Sequence, residues 1–163
     1  MQAFSDMRRN RTHQTYLTLI GLAGILVLCQ IMSSLYPWIP TFVGVVFAYL
    51  ILEFEHREVK AANIALGFVY LCFYDASKGF YLFSYVILFI LVYRFALLKI
   101  QTLITCDNCI LASYVIVAYI GHYLLNCFLA YLDNETFPYF SNYYFYSIAL
   151  DSLLSFMLFR VSR

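Results

Sequence analysis

Charge is what this sequence has least of: only 12% of its 163 residues are Asp, Glu, Lys or Arg. A soluble domain is about one quarter charged, so the chain has too little polar surface to cover a water-soluble fold. Proline and glycine are scarce too, at three and six residues, and tryptophan occurs once. No stretch reads as a flexible linker, no internal repeat or low-complexity segment is present, and no part can form a separate soluble domain. There is no glycine-rich phosphate loop and no HExxH pair, which removes the commonest nucleotide and zinc-hydrolase signatures. Five cysteines are odd in number and scattered, unlike a disulfide framework. The formal net charge of +1 offers nothing to nucleic acid.

Apolar residues fill the space instead. They make up 64% of the chain, with sixteen Tyr and sixteen Phe, and the mean hydropathy is +0.79. Lipid is the natural solvent for such a composition. A membrane-spanning helix needs about 20 mostly apolar residues, and six runs qualify: about 16–36, 38–53, 61–75, 80–98, 110–132 and 143–159. The third is the shortest. Pro37 and Pro40 in "YPWIP" end the first run, because neither fits a helix interior. The arginines at 8, 9 and 11 before an apolar core mimic a signal peptide, but "LVLCQ" makes a poor cleavage site. The first run therefore reads as an uncleaved helix. The expected fold is all-α: one polytopic domain, a six-transmembrane-helix bundle.

Orientation follows from Lys and Arg, which collect on the cytoplasmic side. With both termini inside, nine of the ten basic residues are inside and only Lys78 is outside. Trp38, Tyr36, Tyr139, Tyr143 and Tyr144 then gather at outer ends, where interfacial aromatics belong. In "VYLCFYDASKGFYLF" Asp75 closes the third run, and Gly79 allows a reversal into the fourth. A turn between two spans is the main reading of Asp75, with a functional role as the other.

Deeper in the bundle lie His122 and Asp151. At 1.5 Å per residue their depths are about 15 Å and 12 Å, so the two side chains are expected to meet, with Asn126 one turn from His122 on the same face. Ionisable groups at that depth normally face a partner inside the bundle. The set reads either as an interhelical hydrogen bond or as a proton relay or ligand pocket. No second carboxylate or nucleophile completes a catalytic set, so no catalytic, cofactor or metal residue is assigned. "CDNC" at Cys106–Cys109 lacks both the second ligand pair of a zinc ribbon and a thioredoxin-like setting. "NET" at Asn134–Thr136 matches a glycosylation sequon, which matters only in a eukaryotic secretory pathway.

The stretch "FYDASKGFYLFSYVILFILVYRF" resembles the MreD family, small rod-shape-determining inner-membrane proteins of bacteria. Asp75, Gly79 and Arg94 stand where that family ends its third helix, turns, and closes its fourth on a basic residue. "IPTFVGVVFAYLIL", the basic N-terminal stub, the length and the final "FRVSR" also fit. The chain departs from the pattern in lacking a glycine close before the aspartate and a second one after Gly79. The resemblance implies a non-enzymatic scaffold of the cell-elongation machinery in the bacterial inner membrane. Its implied partners are a bitopic MreC-like protein and, through it, MreB-like filaments and a RodA-type peptidoglycan synthase. It also implies a fold similar to the S components of energy-coupling-factor transporters. The alternative function is therefore such a substrate-binding component for a vitamin or metal.

Overall fold

A computed structural model describes Gly21 and residues 23–36, 38–55, 61–104, 106–139 and 141–159. Among them the chain is all-helical, with six helices: α1 Ala23–Leu35, α2 Val43–Glu55, α3 Ala61–Lys78, α4 Ser84–Leu103, α5 Asn108–Asp133 and α6 Tyr143–Leu158. Two of them, α4 with 20 residues and α5 with 26, are long and apolar enough to cross a membrane. Helices α1 and α6 are shorter but also apolar. The basic N-terminal stub, Arg57, Lys60 and the "FRVSR" arginines lie outside the described residues.

Helix α2 is the centre of the bundle and packs against α3, α5 and α6. Val43, Phe47, Ala48, Leu50 and Ile51 are all fully buried. Neighbours come this close because two glycines leave room. A Cβ on Gly67 of α3 would lie 2.7 Å from Leu50 Cδ2, and one on Gly44 of α2 would lie 2.7 Å from Val115 Cγ1 of α5. Towards the far end of α2 the core becomes aromatic. Phe89 of α4 touches Phe47, Phe54, Phe68 and Tyr93, with ring centroids 5.1–6.0 Å apart, in the edge and offset arrangements that rings favour.

The corners differ from the sequence reading in informative ways. Helix α3 does not stop at Asp75 but runs on to Lys78, and Gly79 then turns the chain with φ +72. Helix α4 begins at Ser84 rather than near Phe80, because Phe83 adopts a left-handed φ of 67. Helix α2 begins at Val43 rather than Trp38, after Phe42 at φ 55. Both long helices contain a π segment, Val92–Ala96 in α4 and Val117–Gly121 in α5. Such segments insert one residue and change the phase of everything beyond them. Arg94 lies in the first of them, exposed.

A buried polar layer as candidate functional site

Four polar side chains from three helices converge where α3, α4 and α5 meet. Asp75, Ser84, His122 and Asn126 are each at most 1% exposed. His122 Nε2 lies 2.9 Å from Asp75 Oδ1 and 2.7 Å from Ser84 Oγ. The Ser84 hydroxyl donates to Asp75 Oδ1 at 3.0 Å, and the Tyr85 N–H donates to Asp75 Oδ2 at 3.3 Å. Asn126 Nδ2 donates to Ser84 Oγ at 3.2 Å and to the His122 carbonyl at 2.9 Å. Its Oδ1 accepts the Tyr81 N–H at 3.1 Å. Asn126 Nδ2 also lies 3.0 Å from His122 Nε2, so this one ring nitrogen meets Asp75, Ser84 and Asn126 together. The Tyr85 ring stacks on the imidazole at 3.8 Å and 8°, and Phe80 and Tyr74 meet it edge-on.

Asp151 occupies a second node. Its Oδ2 accepts the Gly44 N–H at 2.8 Å and the Tyr119 hydroxyl at 2.8 Å. The Tyr119 oxygen is also 3.4 Å from Thr41 Oγ1. The Thr41 carbonyl in turn accepts from Tyr70, and Gln30 donates to Ser77 Oγ at 2.6 Å. Asp151 Oδ1 and Ser155 Oγ, one turn apart on α6, have no partner among the described residues.

The expected meeting of His122 with Asp151 therefore does not occur. His122 and Asn126 share a face, as their spacing implies, but the carboxylate they reach is Asp75. The π segment ending at Gly121 rotates His122 towards α3 and α4, while Tyr119 within it turns to α6. Asp75, read from the sequence as part of a turn between two spans, instead lies fully buried within α3. Gly79 sits in that corner with its backbone in the left-handed region, and Arg94 lies away from both nodes. Ser84, Tyr119 and Gly44 were not singled out from the sequence. Ser84 and Gly44 carry a faint signal, as the polar and the small residue nearest the start of an apolar run.

Serine, histidine and aspartate within 3 Å of one another resemble a hydrolase triad in composition but not in geometry. A triad places the carboxylate on one imidazole nitrogen and the serine on the other, so that the free nitrogen takes the hydroxyl proton. Here both Asp75 and Ser84 contact Nε2. The serine gives its proton to the carboxylate, and all three groups are sealed from solvent. What the arrangement does is tie three helices together. Each aspartate also answers a helix start. The first N–H groups of a helix have no intrahelical acceptor, and a carboxylate there satisfies them and complements the helix dipole. Asp75 does this for α4 and Asp151 for α2.

Among the described residues no group of three or more His, Cys, Asp or Glu comes together as a metal site. Cys106 and Cys109, at the start of α5, are exposed and form no disulfide. Comparison with protein-family models, with curated proteins and with solved structures finds no match.

Proposed function

We propose that the chain is a non-enzymatic membrane scaffold, a six-span bundle of the MreD kind, with its termini in the cytoplasm and a bitopic MreC-like partner at its helical surface. Through that partner it connects with MreB-like filaments and a RodA-type synthase in bacterial cell elongation. The observation that carries the reading is the closure of the interior polar layer. Asp75, Ser84 and His122 are spent on a helix start and on one another, while Asn126, held by Tyr81 and Ser84, also reaches the lining of a cavity shared with Lys78 and Glu135. The exterior, by contrast, is apolar on every long helix: Ile90 and Leu98 on α4, Leu124 and Phe128 on α5, and Leu153 and Met157 on α6 are all exposed. A bundle sealed inside and apolar outside offers surface, not chemistry, and lipid is the solvent that such a surface suits.

Two further features support the family reading. Asp75 and Gly79, which carry the sequence resemblance, build the α3–α4 corner, so the residues that match are the ones the fold depends on there. The transporter S-component alternative asks for a shared ligand pocket at His122, Asn126 and Asp151, whereas His122 and Asn126 bond to Ser84 and Asp151 bonds separately to Gly44 and Tyr119. The test is made in native membranes. The tagged chain is expected to stay in the membrane fraction, to bring down a single-span protein after mild solubilisation, and to round a rod-shaped host when depleted. Release in the soluble fraction would remove the membrane reading. Unchanged rods after deletion would remove the scaffold reading while leaving the membrane one intact.

A further inference from the structure

Outside the closed layer, one cavity of about 210 Å³ opens at the end of the bundle where α3 finishes and α6 begins. Its floor includes Thr41 and Tyr119, and its walls include Lys78, Ser147, Tyr143 and Phe80. Water occupies about 30 Å³ per molecule, so the space corresponds to about seven waters. That is ample for a small polar headgroup and too little for an acyl chain.

Among the described residues, Lys78 is the one cation in that lining. Its Nζ donates to the Ser33 carbonyl at 3.1 Å, which uses one of its three protons. Among the described residues no carboxylate lies within ion-pair distance of it. A second cavity on the other side of Lys78 has Glu135 in its lining, which disfavours an anion there. Among the described residues, the first has no acidic residue in its lining. Neither Asp75 nor Asp151 is in its lining; donors hold Asp75 Oδ1 and Asp151 Oδ2. One ammonium, several hydroxyls and an apolar rim suit a ligand with an anionic phosphate, several acceptor oxygens and a carbon body.

We propose that this cavity binds a phosphodiester or phosphate monoester headgroup, with the phosphate against Lys78 and the hydroxyl of Ser147 and the glycerol-like remainder against Phe80 and Tyr143. The same chemistry comes from two sources, a glycerophospholipid or a free glycerol phosphate. The site stands on the cavity itself and does not rest on the scaffold reading.

The experiment uses the full chain in a neutral detergent, with thermal unfolding followed by a thiol-reactive dye. Phosphatidylglycerol, phosphatidylcholine and glycerol phosphate are added separately. The expected result is a rise in midpoint with phosphatidylglycerol, a smaller one with phosphatidylcholine, and loss of the rise in Lys78→Gln. A rise with glycerol phosphate assigns the soluble source; a rise with phosphatidylglycerol alone assigns the lipid. Ser147→Leu fills the cavity and keeps the cation, so it too should abolish the rise, which covers the case in which Lys78→Gln does not fold. An equal rise in wild type and Ser147→Leu would mean general lipid stabilisation and overturn the proposal. So would the absence of any rise with all three additives.

Discussion

Asp75 and Asp151 do the same work at the starts of two different helices. Asp75 accepts the Tyr85 N–H at the start of α4, and Asp151 accepts the Gly44 N–H at the start of α2. In both cases the helix follows a phenylalanine in the left-handed region, Phe83 at φ 67 and Phe42 at φ 55. In both cases α5 supplies the second partner, His122 for one and Tyr119 for the other. One helix thus braces two carboxylates, and each carboxylate fixes where another helix begins.

Removing one member of such a buried set leaves the others without partners. Asp75→Ala is expected to destabilise the protein by about 1–3 kcal/mol for each buried donor left without its acceptor. His122→Ala is expected to cost less once Asp75 is already gone. The coupling in an Asp75/His122 double-mutant cycle should be about 0.5–3 kcal/mol. Denaturant unfolding of the four proteins in detergent measures it, and strict additivity would show that the two side chains do not interact.

Gly44 is expected to tolerate no side chain. A Cβ there would lie 2.7 Å from Val115 Cγ1, 2.9 Å from Asp151 Oδ2 and 3.0 Å from Tyr119 Cε2. Gly44→Ala should therefore both overpack the core, at about 1–3 kcal/mol, and push Asp151 from its donors. Gly24→Ala is the control: a Cβ on Gly24 meets nothing within 4 Å. That change should leave the melting temperature unchanged or raise it.

The corner after α3 gives a backbone test. Gly79 has φ +72 and open space around it, so a substitution there meets strain in the chain rather than a clash. Gly79→Ala is expected to lose about 1–2 kcal/mol. Gly79→Asn should lose less, because asparagine visits that region more readily. Equal losses from the two changes would point to a contact rather than to backbone strain.

Tyr81, in the loop after that corner, provides a pH signature. Its hydroxyl donates to Glu135 Oε2 at 3.1 Å. Desolvation first, then the nearby Asp133 and Glu135 carboxylates, push its pKa up to about 12. An unfolded tyrosine titrates near about 10. The folded form therefore holds its proton more tightly, and the stabilisation is complete below about pH 10 and lost as pH rises towards about 12. Tyr81→Phe should remove that part of the alkaline decline. The check is the difference between wild-type and variant midpoints across the alkaline range.

The helical segmentation was legible because long apolar runs separated by Pro, Gly and charge have few other solutions. The shared face of His122 and Asn126 was legible as well, since both lie beyond the π segment and keep ordinary i, i+4 spacing. The partner was not. Depth counted at a constant rise assumes an unbroken α-helix, and Val117–Gly121 breaks that assumption just before His122. Nor do residue preferences announce a left-handed phenylalanine, a conformation that is costly for a bulky side chain. The late starts of α2 and α4 were hidden for that reason. With α4 expected to begin near Phe80, Asp75 read as a turn between two spans rather than as an acceptor for the helix to come.

The segment Val117–Gly121 also limits how this protein can vary. An ordinary helix advances about 100° per residue, so deleting one residue there would swing His122 and Asn126 off Asp75 and Ser84 in a single step, while Tyr119 kept its hold on Asp151. Length in the middle of α5 is thus as constrained as residue identity. A descendant that lost that residue would have to rebuild the junction of α3 and α4 from other side chains.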